Sequence, residues 1–303
     1  MYYLLLAVIY LLSLLPMFVL YALGDIIGFF LFGVVGYRKK VVLKNLRNAF
    51  PEKTEKEIDA IAQKFYSNFM DLWMETIKFL TMTPAGIKRR MSGDNSILFK
   101  YHAEGKSCQV IGGHTMNWEL LNGYYPLTQP LQFIAVYMQI SNPAMERLFK
   151  KLRCRFGSLL IPAKEVRYGL DKYFQQQYLY VLGADQSPTK PAEAYWVNFL
   201  NQPTGFPTGP AKHTIKQQQP IVFSYIEKTG CGKYVVHLEP LFENLEGVTP
   251  EEITLAFVRR LEHILQQHPD NYLWTHKRWK HAWKPEYAGN WIDTAPLPVA
   301  EIQ

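Results

Sequence analysis

Cysteine is scarce in this chain, and charge is thin. Three cysteines, Cys108, Cys154 and Cys231, are scattered through 303 residues. That number and spacing exclude a disulfide framework and a cysteine metal knuckle, and they fit reduced thiols. Charged residues make up only 19% of the chain while aromatics reach 15%, a balance that excludes a disordered polypeptide. The pattern G-x-S-x-G is absent, as are G-x-x-x-x-G-K-[ST] and G-x-G-x-x-G. An α/β-hydrolase and a nucleotide-binding fold therefore have no support. No internal repeat and no low-complexity linker divides the sequence.

Charge is scarcest at the start. Between Met1 and Tyr37 the only charged side chain is Asp25. Tyr2 to Leu23 is long enough to cross a bilayer, with a kink expected at Pro16. Ile26 to Tyr37 is apolar but short, and reads as an interfacial or re-entrant segment. A basic cluster follows: Arg38, Lys39, Lys40, Lys44 and Arg47. The positive-inside rule places the remainder in the cytoplasm. A cleaved signal peptide fits less well, because no basic n-region precedes the apolar run. Two units are expected: an anchor over 1–37 and a cytoplasmic domain over 38–303.

The remainder alternates between strand and helix patterns. Thr54 and Glu57 form a capping box ahead of Ile58, Ile61, Ala62, Phe65, Phe69, Leu72 and Trp73, which recur at helical spacing. Strands are expected at Cys108–Gly112, Leu131–Met138, Leu159–Ile161 and Tyr178–Leu182, and two more near Ile221–Ile226 and Tyr234–Leu238. Helices are expected at about Trp118–Tyr124, after Pro143, over Lys164–Gln176, and from Thr249 to about Gln267. This alternation predicts an α/β fold: a mixed, mostly parallel central sheet flanked by helices, behind an N-terminal membrane-anchoring helix.

The formal charge of +7 points to an acidic partner without choosing among nucleic acid, anionic membrane, phosphorylated substrate or acidic protein. Chemistry concentrates at Gly112–Gly113–His114–Thr115–Met116–Asn117–Trp118–Glu119. In one continuous helix, residues five apart diverge by about 140°. With His114 in the turn and Glu119 in the first helical turn, the two converge, and two preceding glycines permit a tight turn. Imidazole titrates near neutrality and suits proton abstraction from a hydroxyl; a neighbouring carboxylate fixes its tautomer. The place of this motif at a strand end adds weight.

Taken with other blocks, the motif is similar to that of the late acyltransferases of lipid A biosynthesis, the lauroyl/myristoyl transferase family. The blocks are Asn45–Pro51, His114 with Glu119 as H-x-x-x-x-[DE], Arg153–Gly157, Asp185–Gln186, Thr208–Ala211 and Tyr272–Lys280. Ser187–Pro188 departs from the acidic residue many members carry after Asp185–Gln186. The resemblance implies a glycerolipid-acyltransferase-like fold at the cytoplasmic face of a bacterial inner membrane. It implies acyl carrier protein as donor and the 3-hydroxyacyl hydroxyl of a lipid A precursor as acceptor, with no metal or nucleotide cofactor. His114 would be the base and Glu119 its orienting partner. Arg153 would bind a phosphate or the thioester oxyanion. Asn117, Asp185, Gln186, His276 and Arg278 would contact substrate. Trp274, Trp279 and Trp283 interleave with Lys277, Arg278, Lys280 and Lys284. That pattern fits anionic membrane lipid or single-stranded nucleic acid, and the anchor favours lipid. Three rivals are an acyltransferase for another glycolipid or amino-lipid, a scaffold with a dead site, and a tethered nucleic-acid module.

Overall fold

A computed structural model describes residues 2–168, 173 and 175–298. Proline decides the first boundary. Pro16 lacks an amide hydrogen and its ring opposes helix continuation, so the apolar run divides into α1 (Tyr2–Leu14) and α2 (Met17–Gly28). Where the sequence suggested one kinked helix over Tyr2–Leu23, the break is complete. Instead α2 continues through a π-helical stretch, Phe29–Val34. Met17–Val34 is the one helix among the described residues long and apolar enough to cross a membrane, and α1 is shorter. Carbonyls freed at the break are taken by α4 (Glu55–Phe79) and the residues after it: Lys78 Nζ donates to Ser13 O and Leu15 O, and Thr81 Oγ1 to Ser13 O.

Both N-terminal helices pack on the body of the protein. Gly24 and Gly28 lie against Met74 and Met70 of α4, and the Arg147 guanidinium of α8 (Pro143–Arg153) covers the Tyr2 ring. The outward face stays apolar: Leu11, Leu14, Phe18, Phe29 and Val34 are exposed. Helix α3 (Lys39–Ala49) leads into α4. The predicted capping box of α4 is formed, with Thr54 N–H donating to Glu57 and Glu57 N–H to the threonine hydroxyl. Ile58, Ala62, Phe65, Phe69 and Leu72 are buried as the periodicity requires, while Trp73 is exposed.

Helix α5 (Pro84–Arg90) leads into a seven-stranded sheet. Its strands are β1 (Met91–Gly93), β2 (Cys108–Gly112), β3 (Gln132–Tyr137), β4 (Leu159–Pro162), β5 (Tyr178–Gly183), β8 (Ile221–Gly230) and β9 (Lys233–Phe242), in the order β1-β9-β8-β2-β5-β3-β4. All pairings are parallel except the β8–β9 hairpin. Helices α6 (Ser96–Ala103), α7 (Trp118–Thr128), α8, α9 (Gly209–Gln217) and α10 (Pro250–Gln267) cover the sheet, as connections between parallel strands require. A separate hairpin pairs β6 (Tyr195–Phe199) with β7 (Gln202–Phe206). The expected helix over Lys164–Gln176 differs. It begins as a 3₁₀ turn, Ala163–Tyr168, and residues 169–172 and 174 of that stretch lie outside the described residues.

Register between β2 and β5 positions the site. The two strands run parallel, with Gly112 opposite Gly183. Their carboxyl ends therefore deliver His114 and Asp185 to the same edge, where ligands of open α/β sheets bind.

Candidate active site

His114 stands two residues past β2, on a loop held from both sides. The Ile226 amide donates to Thr115 Oγ1 at 3.1 Å, and the Met116 amide to Asn271 Oδ1 at 3.1 Å. Gly112 and Gly113 do not adopt positive φ, so the tight-turn reason expected from sequence gives way to close packing. A Cβ on Gly112 would come within 2.7 Å of the Ser224 carbonyl oxygen, and one on Gly113 within 2.7 Å of Leu261.

Asp185 is the carboxylate that binds His114. Nδ1 of the imidazole lies 2.6 Å from Asp185 Oδ1, and the His114 backbone amide donates to Oδ2 at 3.0 Å. Glu119 occupies the first turn of α7, as the sequence predicts, but its oxygens serve another partner. Arg153 of α8 grips Glu119 in a fork, Nε to Oε2 at 2.9 Å and Nη2 to Oε1 at 2.6 Å. The orienting contact expected of Glu119 is thus made by Asp185, which accepts from His114 Nδ1. Glu119 still acts on the imidazole through its charge. The Trp118 ring packs edge-on against His114, centroids 5.3 Å apart, and its Nε1–H donates to Glu119.

These contacts set the electrostatics. Burial opposes the imidazolium, yet the Asp185 charge and hydrogen bond, helped by Glu119, outweigh it and raise the His114 pKa above its ordinary value. Asp185 is almost fully buried, which favours its neutral form. The His114 charge and two hydrogen bonds prevail, with Arg278 helping, and hold the carboxyl down at about 2. With Nδ1–H committed to Asp185, Nε2 carries the lone pair, and the Gln186 amide lies 3.3 Å from it. The ring fits against β5 because residue 183 is glycine: a Cβ there would stand 2.6 Å from His114 Cε1.

The C-terminal block holds the Asp185 turn. His276 Nε2 accepts from the Ser187 amide at 3.1 Å, and the Ser187 hydroxyl donates to the Lys277 and Arg278 carbonyls. Burial, with the nearby Arg278 charge, lowers the His276 pKa to about 4 against the pull of Asp185, so its ring is a neutral acceptor. Arg278 points inward rather than to a membrane. It is buried over the Phe206 ring at 4.2 Å and donates to the Gly205 carbonyl. Trp274 is core; Lys277, Lys280 and Lys284 are the exposed basic residues of that segment. Asn117 is fully buried, and its amide serves Glu75 at 2.6 Å instead of the cleft.

Glu75, a buried carboxyl behind the His114 loop, is a residue that sequence reasoning did not single out. This buried carboxyl also accepts from Tyr21 at 2.6 Å and Tyr234 at 2.7 Å, and burial raises its pKa. Its position on the apolar face of α4 was the available signal: a glutamate between Met74 and Thr76, both buried. Among the described residues no group of three or more His, Cys, Asp or Glu side chains is placed to hold a metal ion.

His114 with Glu119, Arg153, Asp185 and His276 thus come from four separate segments of the chain to one edge of the sheet. No curated protein matches the chain significantly. The family model for bacterial lipid A biosynthesis acyltransferases matches residues 1–281, nearly the whole chain, and the protein belongs to that family.

Proposed function

We propose that the protein moves a fatty acyl chain from an acyl-carrier-protein thioester to the hydroxyl of a 3-hydroxyacyl chain on a lipid A precursor, with His114 as general base. The observation that carries this reading is the 2.6 Å contact between His114 Nδ1 and Asp185. It fixes the tautomer that leaves Nε2 basic. The acceptor hydroxyl takes the place of the Gln186 amide at Nε2 and gives up its proton there. Its oxygen attacks the thioester carbonyl, the C–S bond breaks, and the leaving thiolate recovers the proton from the imidazolium. Asp185 stabilises that imidazolium. Glu119 acts as the positioning residue for Arg153, whose Nη1 remains as a donor for a thioester oxyanion or a substrate phosphate.

Residues 1–37 serve as the anchor and 38–303 as the catalytic unit, at the cytoplasmic face of a bacterial inner membrane. The exposed apolar side chains of α1 and α2 support this, as do the following Lys39, Lys40 and Lys44. A net charge of +7 favours docking of an acidic carrier protein.

A transfer assay in mixed micelles tests the reading, using a radiolabelled lipid A precursor and a panel of acyl-carrier-protein thioesters. A product one acyl chain heavier is expected, reduced about 10²–10⁴-fold in His114→Ala. No product from folded protein with any donor would dismiss the proposed acceptor, and an unchanged rate in His114→Ala would dismiss the base.

A further inference from the structure

A pocket lies away from His114, between Tyr21 of α2, the end of α4, α5 and the tip of the β8–β9 hairpin. Its volume is about 410 Å³, and its walls include Tyr21, Lys78, Arg89, Arg90, Cys231 and Lys233. Four of these six carry positive charge, and among the described residues no carboxylate lines the pocket. The hydrogen bonds made by the cations go to neutral oxygens. Lys78 donates to Ser13 O and Leu15 O, Arg90 to the Tyr21 hydroxyl and Gly232 O, and Lys233 to Arg89 O. Among the described residues none of the four is in a salt bridge. The carboxyl of Glu75 meets Arg90 through the Tyr21 hydroxyl, behind the pocket wall. Like charges crowded together are unfavourable until an anion arrives. Lys78 registers this: burial, then the neighbouring Arg90, lower its pKa.

Two surroundings define the anion. Lys78 ties the pocket wall to the α1–α2 break, and on the two helices that meet there Leu11, Leu14 and Phe18 stand exposed, Phe18 at 73%. On its inner side the Tyr21 hydroxyl donates to Glu75, and the opposite oxygen of Glu75 receives Asn117 from the His114 loop. An anion here would meet apolar surface on one side and, one carboxyl away, the loop bearing the base.

We propose that this pocket binds the phosphate of an anionic membrane lipid, one whose headgroup carries no neutralising cation, with its tails along the exposed apolar face of α1 and α2. Lysine and arginine donors suit phosphate oxygens, and the apolar rim selects a lipid-borne phosphate over a free one. The proposal does not rest on the reaction assigned to His114.

Cys231 gives a readout, since its exposed thiol lines the pocket. The full-length protein, as Cys154→Ser to remove the other exposed thiol, would be alkylated with N-ethylmaleimide in dodecyl maltoside micelles. Probes would be dioleoyl phosphatidic acid, dioleoyl phosphatidylcholine and inorganic phosphate at matched concentrations. Phosphatidic acid should slow Cys231 alkylation at least fivefold relative to phosphatidylcholine. Adding Arg89→Gln and Lys233→Gln together should remove the difference. Arg89→Gln alone, an exposed residue, should reduce it, and Lys88→Gln, on the same helix outside the pocket, should preserve it. Thermal melts would show that each variant folds, and Arg89→Gln carries the test if the double variant does not. Equal protection by phosphatidylcholine, or protection that survives in the folded pocket variants, would overturn the site. Equal protection by inorganic phosphate would overturn its assignment to a lipid.

Discussion

The imidazole of His114 and the carboxylate of Asp185, 71 residues apart in sequence, meet at 2.6 Å, and the same carboxylate also takes the His114 backbone amide. One side chain thus fixes both the ring and the loop that carries it. In Asp185→Asn the amide can donate to Nδ1 and favour the wrong tautomer. A fall of about 10²–10⁴-fold in transfer rate is expected. The pH profile should move as well. Asp185 raises the His114 pKa, and a general base works above its pKa. Wild-type activity should therefore rise with pH through a value above the ordinary histidine range. Removing the carboxylate should shift that rise to lower pH. A shift upward, or none, in the residual activity would contradict the assigned pairing.

Gly183→Ala probes the same ring from the other side. The new methyl would stand 2.6 Å from Cε1, inside contact distance, and the imidazole must move. At least a tenfold loss of transfer is expected, because displacements of about 1 Å cost about 10²-fold in positioned catalysis. The unfolding midpoint should change little, since residue 183 is exposed at a strand end. Full activity would show that ring placement tolerates the shift.

Glu119 and Arg153 form a nearly buried pair, with side-chain exposures of 7% and 16%. Glu119→Gln leaves the guanidinium without its counter-charge and should cost about 3–5 kcal/mol of stability. Combining it with Arg153→Met removes the stranded charge and should recover part of that loss. Transfer should stay low in the double variant if Arg153 serves the reaction. Denaturant melts and transfer rates measured together separate the outcomes, and activity that returned with stability would reduce the pair to a structural strut.

Membrane attachment is best tested on the exposed face of α1 and α2. Deleting residues 1–37 would strip Tyr21 from Glu75 and uncover Met70 and Met74, mixing instability with release. Leu11→Glu with Phe18→Glu changes only exposed positions. Each apolar side chain withdrawn from lipid forfeits about 1.5–3 kcal/mol, so vesicle flotation should fall at least tenfold with the thermal midpoint nearly unchanged. Undiminished flotation would place the principal membrane contact elsewhere, with Lys277 and Lys280 the next segment to test.

Local features read well from sequence because their causes are local. The Thr54 and Thr249 capping boxes form within three residues, and the strand leading to His114 has the predicted span. The β6–β7 hairpin and α9 were not anticipated. Tyr195–Phe199 is a short run around Asn198, and Gln202–Phe206 contains a proline and a glycine, so neither alternates cleanly. Pro16 was legible as a disruption, but whether it kinks or ends a helix depends on what receives the freed carbonyls. Lys78 and Thr81, more than 60 residues away, receive them.

By itself, the sequence determined the α/β alternation, the apolar N-terminus, the placement of His114 at a strand end and the blocks that mark the family. Periodicity, capping and composition act over a few residues, and a linear pattern records them directly. Only the tertiary structure decided which carboxylate meets the imidazole. Glu119 is nearer in sequence, but α7 turns it toward Arg153. Parallel register of β2 against β5 brings Asp185 to His114 instead, because a sheet sets its contacts by strand pairing and not by distance along the chain.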